Sequence, residues 1–146
     1  YLCGLPGRGK SCAAACVFMQ WRGFAIWRSA AEVVSDISEC RRNGSIVRRG
    51  VEQYEGDILR KVKSATLYVF DDVGLRNPSD AAYEIFFKLV DSRLNRPTIY
   101  TSNVMPADLG KIYDSRITSR LLRGTVIELR GTDLRLANTK YVKVES

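Results

Sequence analysis

Two rhythms of apolar residues alternate along this chain. Short unbroken runs, such as Leu67-Tyr68-Val69-Phe70, are separated by longer stretches in which apolar residues recur three and four apart. The first rhythm reads as strands buried on both faces, the second as helices with one buried face. Tyr1-Leu2-Cys3 is a first strand, followed by a glycine-rich loop and an alanine-rich helix over Ser11–Trp21. Gly23 closes that helix, and Phe24–Trp27 reads as a short buried strand. Val33, Val34, Ile37 and Cys40 mark a helix over Ala30–Arg42, broken at Asn43-Gly44-Ser45. A second, charge-rich helical stretch is expected from about Val47 to Lys63. Leu67–Phe70 then reads as a central parallel strand ending in Asp71-Asp72. Asn77-Pro78-Ser79-Asp80 opens the next helix, with a capping residue, a proline in the first turn and an early acid. Its apolar face holds Ala82, Ile85, Phe86 and Leu89, and Pro97 lies beyond its end. Thr98–Thr101 is a strand ending at Ser102-Asn103, a short helix spans about Asp114–Leu122, and Thr125–Leu129 is a last strand. Alternation of this kind predicts a five-stranded parallel α/β sheet with helices on both faces.

Composition narrows the class. The 146 residues suit one domain, and 45% apolar with 27% charged residues is ordinary for a globular protein. The sequence has no apolar run near the length of a membrane span and nothing that reads as a signal peptide, so we expect a cytoplasmic protein, bacterial or from a phage-infected cell. Cys3, Cys12, Cys16 and Cys40 make no disulfide pattern. Without histidine or a C-x-x-C pair they make no metal site, and they read as small buried thiols. The net charge is +7 and unevenly spread. Residues 41–63 carry seven basic and three acidic side chains, residues 111–146 eight and four, and residues 64–110 four and six. Two basic regions suggest contact with a polyanion.

The chemistry concentrates in Gly4-Leu5-Pro6-Gly7-Arg8-Gly9-Lys10-Ser11, which matches G-x-x-x-x-G-K-[ST] between a strand and a helix. Glycines let the backbone wrap a polyphosphate with its N–H groups inward, at the positive end of a helix dipole. The expected nucleotide contacts are Gly4, Pro6, Gly7, Arg8, Gly9, Lys10, Ser11 and Cys12. Lys10 would reach the β- and γ-phosphates, and the Ser11 hydroxyl would meet Mg²⁺. Asp71, at the end of a buried strand, is placed to hold the same ion through water. Asp72 beside it can orient an attacking water. Asn103 would lie between the ends of the first and third strands, where its amide reaches the γ-phosphate or the water; alternatively it caps the turn before Pro106.

These motifs resemble the AAA+ ATPases of the DnaC/IstB group, relatives of the initiator DnaA, over nearly the whole chain. Gly4–Ser11 is similar to Walker A, Leu67–Gly74 to the group's Walker B with its Asp-Asp and following glycine, and Arg96–Asn103 to its sensor-1 strand. The resemblance implies an ATPase that assembles on ATP and single-stranded DNA to deliver a replicative helicase. An IstB-type transposition helper shares every motif, and a nucleotide-switched DNA-binding adaptor with little turnover and a small-molecule kinase are further readings. Arg116-Ile117-Thr118-Ser119-Arg120 resembles the box that supplies an arginine finger to a neighbouring subunit, with Arg120 the better candidate and Arg116 supporting the interface; two solvated arginines are the plainer alternative. Arg135 resembles a sensor-2 arginine, or is a surface arginine after the last strand. No helical lid is expected after the last strand, and more chain is expected upstream of Tyr1. With no separate DNA-binding domain expected, Arg41, Arg42, Arg48 and Arg49 are the candidates for tracking single-stranded DNA.

Overall fold

The computed structural model describes residues 1–74 and 78–133. Its elements are β1 (Leu2–Cys3), α1 (Lys10–Gln20), β2 (Ala25–Ser29), α2 (Ala30–Asn43), β3 (Ile46–Arg48), β4 (Val51–Gln53), α3 (Glu55–Ser64), β5 (Leu67–Asp71), α4 (Asp80–Ser92), β6 (Thr98–Ser102), a 3₁₀ turn over Pro106–Lys111, α5 (Ser115–Leu121) and β7 (Ile127–Glu128). Five strands form one sheet in the order β2-β5-β6-β1-β7, every pair parallel.

Alternation along β5 explains how both faces are covered. Tyr68 and Phe70 point to one face, where Phe70 stacks on Tyr100 (5.5 Å between centroids) and meets Phe86 of α4 edge-on. That face joins a core with Val33 and Ile37 of α2, Ile58 and Val62 of α3, and Ile85 and Leu89 of α4. Leu67 and Val69 point to the other face. There Trp27, the register partner of Val69, packs edge-on against Phe18 of α1 at 5.7 Å. Helix α1 thus covers one face and α2–α5 the other.

The end of α4 is fixed by a buried arginine. Arg93 is 2% exposed and donates to the carbonyls of Val62, Ala65 and Pro97 and to the Thr98 hydroxyl. Two of those carbonyls belong to the end of α3, the negative pole of its dipole, which offsets the cost of burying the cation.

Four expectations need correction. Residues 47–53 are not helical: β3 and β4 form an antiparallel hairpin, and α3 starts only at Glu55. Arg49 (φ 51°) and Gly50 (φ 75°) supply the two left-handed residues of a tight hairpin turn, and the flanking Ile46, Val47 and Val51 favour strands. β2 is half-buried rather than buried, because it is the sheet's edge. Helix α4 is capped by Ser79, whose hydroxyl accepts the Ala82 N–H, so Pro78 precedes the cap instead of occupying the first turn; Asn77 lies outside the described residues. Cys3 and Cys40 are buried, but Cys12 and Cys16 are exposed on α1, whose 11 residues present only part of their surface to the sheet.

Candidate functional site

Parallel strands direct their carboxyl ends to one edge of the sheet, and β6 lies between β1 and β5 there. The loop after β1, the end of β5 and the end of β6 therefore converge around a cavity of about 780 Å³ lined by Pro6–Cys12, Asp71, Asp72, Thr101 and Asn103. The loop's shape depends on glycine. Gly4 (φ 144°) lies so close to β7 that a Cβ would stand 2.4 Å from the Leu129 carbonyl oxygen, and at Gly7 (φ 76°) a Cβ would run into the Asp133 carboxylate. Gly9 caps α1, and the first turn leaves backbone N–H groups without intrahelical partners, the usual seat for an anion.

Side chains cross-link the three elements. Lys10 is 8% exposed, and its Nζ donates to the carbonyls of Gly4 (2.8 Å) and Leu5 (3.0 Å) and to Asn103 Oδ1 (2.7 Å). The other end of the Asn103 amide donates to Asp72 Oδ1 at 3.1 Å. Ser11 Oγ donates to Asp71 Oδ1 at 3.1 Å. The Thr101 hydroxyl also donates to Asp71 Oδ1 and accepts the Asp72 backbone N–H at 2.9 Å. Asp72 itself is left-handed (φ 55°), a conformation that costs a non-glycine residue about 1–3 kcal/mol and that its surroundings must impose. A lysine, an amide, two hydroxyls and two carboxylates are thus held in one continuous network.

A second cavity, about 820 Å³, lies at the amino-terminal ends of β1 and β6, near Tyr1, Val17 and Thr98. It lacks the converging carboxylates and the glycine loop, so the chemistry belongs to the first.

No protein-family model matches the chain, and no curated protein matches it. Solved structures do. The DnaC helicase loader superposes with a TM-score of 0.72 at 19% identity, over 88% of this chain and 76% of that one. DnaI gives 0.71 at 20% identity, over 92% and 71%. AMPPCP-bound DnaA from Aquifex aeolicus gives 0.69 at 22% identity, over 88% of this chain but only 39% of the DnaA chain. The chain shares the fold of these structures, a parallel five-stranded α/β sheet with the glycine loop between its first strand and first helix. The chain spans about two fifths of the DnaA structure.

Within this fold the sequence-derived residues fall in three groups. Pro6–Cys12, Asp71, Asp72 and Asn103 line one cavity, with Gly4 at its base holding Lys10. Arg116 and Arg120 do not line it. They sit on α5, where both guanidiniums lie over the Phe87 ring at 4.9 and 4.8 Å; Arg120 Nε donates to Asp91 at 2.8 Å, and Arg116 Nε to the capping Asp114 at 2.8 Å. The four arginines singled out for DNA are not equivalent. All four are exposed, but Arg41 is paired with Glu55, and Arg48 with Asp36 and Glu39. Asp36 is buried beneath Arg28 and Arg48: burial pushes its carboxyl up, but the hydrogen bonds from Arg48 and Arg28 outweigh this and hold it below the usual range. Arg135 lies outside the described residues.

Sequence reasoning missed Thr101 and Asp133. Thr101 is a strand residue by pattern, and only the pairing of β5 with β6 puts its hydroxyl between the Asp71 carboxylate and the Asp72 backbone N–H. Asp133 is distant in sequence from the glycine loop, and nothing local to it points there.

Among the described residues no helix is long and apolar enough to cross a membrane, and no cluster of three or more His, Cys, Asp or Glu side chains is placed to hold a metal alone.

Proposed function

We propose that this chain binds and hydrolyses ATP, and that it acts as a helicase-loading ATPase in DNA replication. The observation that carries the reading is the network in which Asn103 joins Lys10 to Asp72 while Ser11 and Thr101 hold Asp71. Each member has a role in phosphoryl transfer to water. The loop's N–H groups and Lys10 take the phosphates, and Asp72 orients the attacking water and accepts its proton. Asn103 senses the terminal phosphate from between the lysine and that carboxylate.

Mg²⁺ fits the donor set. Ser11 and Asp71 offer hard oxygens 3.1 Å apart, and an ion that keeps several waters and takes phosphate oxygens needs few protein ligands. Bound there, it would neutralise charge on the phosphates; Ser11 and Asp71 would hold it.

Arg120, remote from its own chain's cavity, suits delivery into the site of a neighbouring copy, with Arg116 beside it. The likeness in fold to DnaC and DnaI supports a loader, whose partner would be a replicative helicase. Arg41, Arg42, Arg48 and Arg49 would meet single-stranded DNA.

Mixing tests the shared site. Lys10→Ala and Arg120→Ala variants should each be inactive alone, and a mixture should regain turnover because one interface in the mixed assembly has both residues intact. No recovery, or full activity of Arg120→Ala alone, would reject an intersubunit site.

A further inference from the structure

Arg8 is an expected nucleotide contact by its place in the glycine loop, but the preceding roles give its charged side chain nothing to do. It lines the same cavity as Lys10 and Ser11, and its Nη1 is buried with no hydrogen-bond partner among the described residues. The other guanidiniums that leave solvent are engaged: Arg28 on Asp36, Arg93 on three carbonyls and a hydroxyl, Arg120 on Asp91. Asp71 and Asp72 line the cavity too, but they accept from Ser11, Thr101 and Asn103 and form no ion pair with Arg8. A buried guanidinium nitrogen without a partner is costly, and such groups in native structures mark a site awaiting a ligand or storing strain.

We infer that Arg8 is a second phosphate-binding cation, acting in cis from within the loop. This rests on the nucleotide-site reading above. A planar guanidinium matches two phosphate oxygens at once, and a phosphate in this cavity would satisfy the nitrogen that the protein leaves unpaired. Lys10 then does not carry the phosphate charge alone. The unliganded protein bears the desolvation cost of Arg8, and polyphosphate binding recovers it.

That sign gives the test. Full-length wild type, Arg8→Met and Arg8→Lys are compared for ATP affinity by titration and for urea midpoint without nucleotide. Arg8→Met should bind ATP about ten- to a hundredfold more weakly, Arg8→Lys should fall between, and the nucleotide-free midpoint of Arg8→Met should equal or exceed that of wild type. ATP affinity within twofold of wild type would overturn the assignment. So would weaker binding accompanied by a lowered nucleotide-free midpoint, which is the signature of a structural arginine. If wild type itself binds no ATP, the nucleotide reading fails and the role of Arg8 falls with it; binding by wild type with an indifferent Arg8→Met rejects Arg8 alone.

Discussion

Replacing Thr101 by valine keeps the shape of the side chain and deletes one hydroxyl, which makes it the sharpest probe of the β5–β6 junction. Thr101 is 1% exposed, so water cannot take over what the hydroxyl does. Two bonds are lost: the one donated to Asp71 Oδ1 and the one accepted from the Asp72 N–H. A hydrogen bond to an ionised group contributes about 1.5–3 kcal/mol, and an orphaned buried donor costs about 1–3 kcal/mol. Ser11 still donates to Asp71, which softens the first loss, so the sum comes to about 3 kcal/mol. With a urea slope near 2 kcal/mol per M, the midpoint should fall by about 1.5 M. Thr101→Ser keeps the hydroxyl and gives up a methyl group, for about 1 kcal/mol. Urea unfolding of the three proteins separates the terms, and single-turnover hydrolysis follows the second consequence. Asp72 is left-handed and anchored through its N–H, so Thr101→Val should lower kcat more than it raises KM. A valine variant as stable and as active as the serine variant would refute the hydroxyl's role.

Arg93→Met should cost about 3 kcal/mol in urea unfolding, since it strands the carbonyls of Val62, Ala65 and Pro97, and Arg93→Lys should not rescue it because an ammonium cannot span that fork. Asp36→Asn should destabilise by about 2 kcal/mol at neutral pH. The Asp36 carboxyl titrates below its ordinary value of 3.8, so its contribution is complete above that pH and is lost as the pH falls through the lowered value; the gap between wild type and variant should be smaller at pH 3 than at pH 7 in unfolding.

How much of this was legible before the structure differs from element to element. Gly4–Ser11 is readable because its chemistry is local: the glycines, the lysine and the helix start lie within eight residues. Leu67–Phe70 is readable because a strand buried on both faces must be apolar throughout. The hairpin over Ile46–Gln53 was hidden by its charges, since Arg48, Arg49 and Glu52 look helical in composition while the turn depends on two positive φ angles. Asp71, Asp72 and Asn103 could be named from strand ends, but not the hydroxyl of Thr101 that joins the two acids, because strand order is a property of the whole sheet. The pairing of Arg48 with Asp36, and of Arg120 with Asp91, is also tertiary. Charge counts along the chain see only the arginines.

The central claim is that this network hydrolyses ATP, and Asp72→Asn tests it most directly. Asparagine can still accept the Asn103 amide while losing the charge that takes a proton. ATP binding and turnover should be measured together, on wild type and variant. Wild type should turn over ATP with Mg²⁺, and the variant should bind ATP within a few-fold of wild type but hydrolyse it about a hundredfold or more slowly. A wild type that does not hydrolyse ATP, or a variant that turns over as fast, would contradict it.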